Sequence, residues 1–310
     1  MTITQLEYVL SLNTFRNFAK AAKNCYVTQP TLSMQVKKLE DELGIILFDR
    51  SKKPVLPTDI GQKIIEQAKI ALGEVEKIKE LIRAQKDELS GTLRIGIIPT
   101  LSQYLLPLFL TKFMDKHPSV QLVMEESLSE EIAFKLNNDL LDVGIIVTPM
   151  SNNNLIETPL FYESFVGYIN DRHPLAQKTK IEVNDLKLED MWLLKEGHCF
   201  RNQMINICGE HSRNDRLQFE SGSLNTLMTM VEQQSGYTLL PELATINLPD
   251  NQNKKIRYFK NPAPRREVSI VAHRSYIKQK LIGLLKNEIL ENLPPHLKNQ
   301  KGEQVIEWVN

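Results

Sequence analysis

The sequence predicts an all-α domain and a long helix, followed by a larger α/β domain. Three observations lead to this fold class. Apolar residues recur at helical spacing in the N-terminal part, the stretch from Asp59 to Leu89 contains no proline, and beyond it strand-like apolar runs alternate with helical patterns. The length of 310 residues fits about two domains, and 42% hydrophobic with 25% charged residues is ordinary for a soluble globular protein.

Charge and cysteine content limit the possible classes of function. The 38 basic and 38 acidic side chains cancel, so a nucleic-acid partner would be recognised through a local patch. The N-terminus has no charged start before an apolar run, and no stretch approaches about 18 apolar residues, which predicts a cytoplasmic protein without a membrane span. In that reducing compartment the three cysteines indicate free thiols, metal ligands or redox groups rather than stabilising disulfides.

The N-terminal pattern predicts three short helices, at roughly Thr4 to Leu12, Phe18 to Cys25 and Gln29 to Leu43. Thr28 stands where the N-cap of the third helix belongs, and Gly44 follows that helix as a C-cap. A short helix, a tight turn and a capped helix form a helix-turn-helix, whose second helix enters the major groove of DNA.

A basic surface accompanies this motif, since no acidic residue occurs between Tyr8 and Leu39. The segment "LFDRSKKPVLPT" then predicts two extended pieces around a basic turn, a wing that lies on the phosphate backbone. A small three-helix domain with a solvated basic loop is the alternative. The residues expected at the interface with double-stranded DNA are Thr28, Gln29, Pro30, Thr31, Ser33, Gln35, Arg50, Lys52 and Lys53.

The long predicted helix carries a narrow apolar stripe with alternating steps of four and three residues. Such a stripe predicts a seam with a second helix. If the partner is the same helix in a second copy, the DNA-binding domains are paired on two half-sites. Packing of the stripe on its own domain is the alternative. The stripe consists of Ile64, Ala68, Ala71, Val75, Ile78 and Ile82.

The C-terminal part predicts mostly parallel sheets covered by helices on both faces. Its strand-like runs are "TLRIGIIP", "SVQLVMEES", "LDVGIIV", "FVGYI", "MWLLKE", "YTLLPE" and "VSIVAHR", and helices are expected at Ser102 to His117, Ser129 to Asn138 and Ser223 to Gln234. Ligands of such sheets bind beyond the carboxyl ends of strands, which places Thr100 at a pocket mouth and Ser129 at the start of a nearby helix. The alternative for each of these two hydroxyls, taken singly, is that it only caps its helix.

The segment "EGHCFRNQMINIC" contains two of the three cysteines, Cys199 and Cys208. A helix is expected to begin at or just after Cys199, with Met204 on its buried side. The helix dipole and the neighbours His198 and Arg201 would lower the pKa of the Cys199 thiol, which makes this residue the candidate nucleophile. The third cysteine, Cys25, has no such surroundings and is expected to be a packing residue.

A regular helix would separate Cys199 and Cys208 by about 13 Å, and a disulfide needs Cα atoms within about 7 Å. The two thiols could then bond only if the helix unwound, and the resulting disulfide would be readily reduced by cytosolic thiols. That behaviour suits a redox sensor rather than a structural disulfide. Zinc is disfavoured because the spacing fits no usual ligand pattern, although His198, Cys199, Cys208 and His211 could converge.

The segment "FAKAAKNCYVTQPTLSMQVKKLEDELGIILFDR", followed by "PTDIGQKII", resembles the winged helix of LysR-type transcriptional regulators. The resemblance covers the whole chain. It implies a winged helix-turn-helix DNA-binding domain at 1–58, a dimerising linker helix at 59–90 and an effector domain at 91–310. The effector domain would have two doubly wound lobes like those of periplasmic binding proteins, lobe I at about 92–162 and 268–300 and lobe II at about 163–267.

"GHCxRxQ" followed by a cysteine, with "TLLPELA" and "PAPRRE" downstream, is similar to the OxyR-type hydrogen-peroxide sensors, one branch of this family. The resemblance implies that Cys199 is the peroxidatic thiol, that Cys208 is the resolving thiol, and that their reversible disulfide changes the DNA-binding geometry. The peroxide pocket it implies is formed by Thr100, Ser129, His198, Gln203 and Arg266.

Two residues depart from the family pattern. Met34 lies in the recognition helix where many members carry a basic residue, which puts one phosphate contact in question. Ser129 stands where threonine is more frequent, so the hydroxyl is kept and the methyl group is lost, and peroxide reactivity is expected to differ.

The resemblance implies an activator of oxidative-stress genes with no cofactor and no metal, and not an enzyme. Its partners would be DNA, a second copy in a homodimer through the linker helix, further copies in a homotetramer, RNA polymerase, and a thiol reductant such as glutaredoxin or thioredoxin. One alternative is a LysR-type regulator that responds to a small metabolite between the lobes, with incidental cysteines. A thiol peroxidase is another, and a solute-binding protein of the same fold would need an export signal.

Overall fold

A computed structural model describes residues 1–85, 90–150, 152–209, 221–274, 279–298 and 305–307. They fall into two compact units, and the boundary between them lies just beyond the long helix. Among the helices of these ranges, none combines the length and the apolar character that crossing a bilayer requires.

The N-terminal unit contains three short helices and a wing, followed by a long helix. The short helices are α1 (Ile3–Phe15), α2 (Phe18–Asn24) and α3 (Gln29–Leu43), and the wing pairs β1 (Phe48–Asp49) with β2 (Leu56–Pro57) in antiparallel register. The three predicted helices and the predicted wing are therefore confirmed.

Local capping explains why α3 has the predicted bounds. The backbone N–H of Thr31 donates to the Thr28 hydroxyl at the N-cap. Gly44 ends the helix with a φ of 68°, a left-handed conformation that favours glycine. Leu32 and Val36 form part of the buried side of α3, in a core shared with α1 and α2.

The long helix α4 (Asp59–Gln85) begins against its own domain, because Ile65 and Ala68 belong to the N-terminal core. Further along, Ile78 is 60% exposed. The first part of the apolar stripe thus packs on its own domain, which was the alternative, while its later part lies at the surface. Residues 86–89 and the side chain of Ile82 lie outside the described residues.

The C-terminal unit is built on one eight-stranded mixed sheet. Its first three strands, β3 (Gly91–Ile97), β4 (Val120–Glu126) and β5 (Val143–Thr148), are parallel, with β3 in the middle. The connections between them are α5 (Pro99–Lys116) and α6 (Ser129–Asn137), as the alternating pattern predicts.

The expectation of mostly parallel pairing is wrong for the rest of the sheet. The 15-residue strand β6 (Leu155–Ile169) and strand β10 (Arg265–His273) are antiparallel, and β10 is also antiparallel to β5. Strands β8 (Tyr237–Pro241) and β9 (Ile256–Phe259) pair antiparallel with β6, and β7 (Lys180–Ile181) pairs parallel with β9. The physical reason is that one long strand leads out of the first half and a second long strand returns beside it in the opposite direction.

In the described part of this unit, five further α-helices are α7 (Cys199–Cys208), α8 (Leu224–Gln233), α9 (Asp250–Asn253), α10 (Gln279–Asn292) and α11 (Pro295–Lys298). The prediction of a strand at "MWLLKE" is wrong, because this segment forms only isolated bridges at two of its residues. Strands β7 and β9 were not predicted from the sequence.

Two hydrophobic clusters show that the α/β unit is two-lobed, as predicted. Along β6 the cluster changes between Phe161 and Phe165, and on the returning chain it changes between Ala263 and Val268. Strands β3 to β5 with α5, α6 and α10 surround the first cluster, and β8 with α8 contributes to the second. Strands β6 and β10 thus join the two lobes.

Candidate functional site

A buried arginine lies where the two lobes meet. Arg266 has no exposed side-chain surface, and its Nε donates to Oε1 of Glu163 at 2.8 Å. The Nη1 and Nη2 groups donate to the hydroxyl and the carbonyl oxygen of Thr100 at 3.0 and 3.1 Å. The backbone N–H of Leu243 donates to the second oxygen of Glu163, and the guanidinium lies 5.2 Å from the ring centre of Phe200. The buried cation is therefore compensated and held in a fixed orientation.

The hydroxyl residues lie where the sheet topology predicts. Thr100 lies in the first turn of α5, beyond the carboxyl end of β3, and Ser129 is the first residue of α6, beyond the carboxyl end of β4. Neither hydroxyl makes the side-chain N-cap bond of its helix, since the N-cap residues are Ile98 and Leu128. The alternative that each hydroxyl is a helix cap is therefore wrong.

The predicted low pKa of the Cys199 thiol is wrong, because Cys199 is buried. Loss of hydration is the largest influence and raises its pKa, while the Ser129 hydroxyl and the Arg266 charge lower it, with smaller help from backbone N–H groups at the helix start. Ser129 makes no hydrogen bond of ordinary geometry, yet it lies near enough to the sulfur to act on it. Burial outweighs these polar neighbours in the resting protein.

The two sequence neighbours do not supply the expected positive charge. Arg201 directs its Nη1 to the carbonyl oxygen of Leu194, at 3.0 Å. Burial, followed by the nearby charge of Lys195, lowers the pKa of His198, so its neutral form is favoured near neutral pH. Arg266, which is far away in the sequence, is the cation that acts on Cys199.

Three polar atoms around the start of α7 are buried and have no hydrogen-bond partner among the described residues. They are Oγ of Ser129, Nε2 of His198 and Oε1 of Gln203. Gln203 lies four residues after Cys199 and therefore on the same face of α7. Because buried polar atoms are normally paired, this cluster is where a small polar molecule would find both donors and acceptors.

The second cysteine lies at the other end of the same helix. Cys199 is the first residue of α7 and Cys208 is the last, so an axial separation of about 13 Å follows from the helical rise. Cys199 belongs to the hydrophobic cluster of the first lobe, whereas Cys208 belongs to that of the second, where burial raises its pKa to about 12. The prediction that one helix carries both cysteines is thus confirmed. All three cysteines of the chain are free thiols.

The expected DNA-contacting side chains are at or near the surface of the N-terminal unit. Thr28, Gln29, Pro30, Lys52 and Lys53 are exposed, and Thr31, Ser33 and Gln35 are partly buried.

Several of these residues have structural partners. Thr28 and Thr31 bond to each other, and Lys52 lies 3.9 Å from Asp49. Gln35 accepts a hydrogen bond from Gln5. Arg50 donates to Glu40 at 2.6 Å and lies over the ring of Phe18, so its guanidinium supports the wing. The side chain of Arg50 is nevertheless 38% exposed, and its contact with DNA stays a prediction. Lys53 is exposed and forms no ion pair with any of the described residues.

Two contributors to the site were not predicted from the sequence. Glu163 orients Arg266, and the backbone carbonyl of Ile306 accepts from Nε2 of Gln203 at 2.7 Å. Their partners are 103 residues away in both cases, so no local pattern could reveal them. Within the described ranges, no group of three or more metal-ligating side chains could hold an ion, and His211 lies outside those ranges.

A winged helix-turn-helix followed by a two-lobed α/β unit with a buried site defines a bacterial DNA-binding regulator. The chain belongs to the LysR family: the profile of the regulatory helix-turn-helix proteins of this family matches residues 3–62, and that of the LysR substrate binding domain matches residues 86–294.

Similar proteins include a hydrogen peroxide-inducible genes activator from Haemophilus influenzae, 37% identical over 87% of this chain and 90% of that protein. The DNA-binding transcriptional dual regulator OxyR of Escherichia coli is also 37% identical, over 87% of this chain and 89% of its own. A solved structure of full-length OxyR from Pseudomonas aeruginosa, with one cysteine changed to aspartate, is 35% identical and has a TM-score of 0.76. It covers 93% of this chain and 97% of its own.

Proposed function

We propose that this protein is a hydrogen-peroxide-sensing transcription factor in which Cys199 is oxidised and Cys208 resolves the product. One observation carries the proposal. The Cys199 thiol is buried beside Arg266 and three unpartnered polar atoms, while the only other thiol on its helix lies at the opposite end. The names of the similar proteins, among them a hydrogen peroxide-inducible genes activator, support hydrogen peroxide as the oxidant.

The first step requires only hydrogen peroxide and the residues of the site. The sulfur of Cys199 attacks one peroxide oxygen, the O–O bond breaks, and the thiol proton leaves with the departing hydroxide as water, so that a sulfenic acid remains. Arg266 stabilises the charge that develops, since it is held in place before reaction, and the free polar atoms of Ser129, His198 and Gln203 align the peroxide.

The second step explains the position of Cys208. Its sulfur attacks the sulfenic sulfur, a disulfide forms and a second water leaves. Because α7 keeps the two sulfurs about 13 Å apart along its axis, the helix must unwind for this bond to form. Oxidation is therefore converted into a change of shape, which alters how the DNA-binding units are presented.

The remaining parts of the proposal concern partners. Two copies associate through α4, two dimers form a tetramer, and the recognition helix α3 with the wing binds double-stranded DNA in the cytoplasm. RNA polymerase receives the signal, and a thiol reductant such as glutaredoxin or thioredoxin restores the dithiol. The protein acts as a regulator, not as an enzyme, and the lobe boundaries fall near residues 162 and 268.

Thiol titration tests this proposal. One equivalent of hydrogen peroxide is added to the full chain in a Cys25→Ser background, which leaves the two α7 thiols as the only titratable ones. We expect both thiols to be lost and to return with a dithiol reductant. In Cys199→Ser, the remaining Cys208 thiol and operator binding should both be unaffected by peroxide.

Two results would contradict it. If both thiols persist while a small metabolite changes DNA binding, the chain is a metabolite-responsive LysR regulator. If many equivalents of peroxide are consumed with reductant while DNA binding stays constant, the chain is a thiol peroxidase.

A further inference from the structure

A short C-terminal strap, residues 305–307, lies against the sheet beside the site. The backbone N–H of Ile306 donates to the carbonyl oxygen of Arg265 at 2.8 Å, and Val305 forms a parallel bridge with the same arginine. Ile306 also packs against the hydrophobic cluster of the second lobe. The strap is thus attached to β10 one residue before Arg266.

The other side of the strap is bonded to α7. Nε2 of Gln203 donates to the carbonyl oxygen of Ile306 at 2.7 Å, and Nδ2 of Asn206 donates to that of Glu307 at 2.8 Å. Because a carbonyl oxygen can only accept, it fixes which end of each amide faces the strap. These two donors stand three residues apart, on one face of the helix between the two cysteines.

We infer that the strap is a latch that holds α7 in its helical, reduced form and thereby sets the redox potential of the Cys199–Cys208 pair. The inference rests on the proposed function. Forming the disulfide unwinds the segment that carries Gln203 and Asn206, so both hydrogen bonds to the strap are broken. Oxidised glutathione drives the reaction in the simplest measurement: the dithiol loses two electrons and two protons, and two glutathione thiols are formed.

The orientation of Gln203 adds a second role for the strap. Since the strap takes the N–H donors of Gln203, the Oε1 atom points elsewhere, and it is the atom that is buried without a partner. Ile306 therefore acts through Gln203 as a positioning residue of the pocket. Loss of the strap frees this amide to rotate as well as easing the unwinding of the helix.

The test compares full-length protein with chains ending after Gln304 and after Glu307, each equilibrated with glutathione buffers. The shorter chain lacks the strap, whereas the longer one keeps it and is the matched control. Two net hydrogen bonds correspond to roughly a tenfold change in an equilibrium constant. We expect the oxidation equilibrium of the chain ending at Gln304 to rise about tenfold, which equals a potential about 30 mV more negative.

Point variants keep the test independent of any folding defect of the truncated chain. Asn206→Ala removes one donor, and Asn206→Asp keeps the size of the side chain but removes its N–H groups. Both should shift the equilibrium in the same direction as the truncation, by about threefold.

An unchanged potential in the chain ending at Gln304 and in both Asn206 variants would overturn the latch. An equal shift in the two truncated chains would assign the effect to the last three residues and also overturn the latch. If no disulfide forms even in the full-length chain, the proposed function itself fails, and that outcome is separate from the others.

Discussion

Glu163 on β6 and Arg266 on β10 are direct cross-strand partners, joined by an ion pair of 2.7 Å in which neither side chain is exposed. The hydrophobic cluster changes from one lobe to the other at these same positions of the two strands. The pair therefore connects the packing of the lobes with the orientation of the cation beside Cys199.

Replacing Glu163 with glutamine should destabilise the reduced protein strongly. The substitution leaves the Arg266 charge buried without its counter-ion, and breaking such a pair costs about 3–5 kcal/mol. Urea unfolding measures the loss. The control is Glu182→Gln, which breaks the exposed ion pair with Lys260 and should cost far less, because solvent screens the two charges. Equal losses in the two variants would show that burial gives the Glu163 pair no special weight.

Removing the Ser129 hydroxyl should slow the reaction of Cys199 with peroxide. That hydroxyl lowers the pKa of the Cys199 thiol, whereas burial raises it. In Ser129→Ala the pKa should therefore be higher. As the sulfur becomes charged during the reaction, the Ser129 hydroxyl can donate to it, and the lack of such a hydrogen bond corresponds to about tenfold or more in rate. Stopped-flow oxidation in a Cys208→Ser background measures it. Ser129→Thr keeps the hydroxyl and should react at nearly the original rate; an equally slow Ser129→Thr would point to packing instead.

The stability of the reduced protein should fall at alkaline pH because of Cys208. Burial raises its pKa from the ordinary 9.0 to about 12, so below pH 9 the thiol is protonated in both folded and unfolded chains. Between these two values only the unfolded chain loses the proton, and folding stability decreases as pH rises.

The comparison with Cys208→Ser isolates this effect. From pH 8 to pH 10, the free energy of unfolding should fall by about 1.4 kcal/mol more in the original protein than in the variant. Chemical denaturation at both pH values provides the measurement, and Cys25→Ser is the control thiol. If the free energy of unfolding changes with pH in the same way in the original protein and in Cys208→Ser, the raised pKa of Cys208 is contradicted.

Lys53 should act as a phosphate-binding cation of the wing, and Arg50 mainly as a structural one. Lys53→Ala should weaken DNA binding equally across sequences and reduce the slope of log affinity against log salt by about 1. Arg50→Ala should instead lower stability by about 1–2 kcal/mol, because it removes the bonds to Glu40 and the contact with Phe18. A larger salt-slope change in Arg50→Ala than in Lys53→Ala would reverse these roles.

Much of the fold could be predicted because it depends on neighbouring residues. The bounds of α3 follow from the cap at Thr28 and the glycine at position 44, and those of α7 follow from apolar spacing within ten residues. Strands β3 and β5 were predicted correctly because buried parallel strands are nearly continuous apolar runs. Strand β4 was predicted correctly because its less exposed residues Val120, Leu122 and Met124 alternate with exposed ones. The short strands β7 and β9 were missed because two to four residues carry too little periodicity.

The sequence by itself determined the helix-turn-helix, the alternation of the α/β unit and the position of both cysteines on one helix, since caps and periodicity are properties of adjacent residues. Tertiary structure alone decided that β10 returns antiparallel between β5 and β6, that Arg266 rather than Arg201 faces the thiol, and that the Cys199 pKa is raised. Strand direction, charge proximity and loss of hydration depend on segments that lie far apart in the sequence, because only the folded chain brings these segments together.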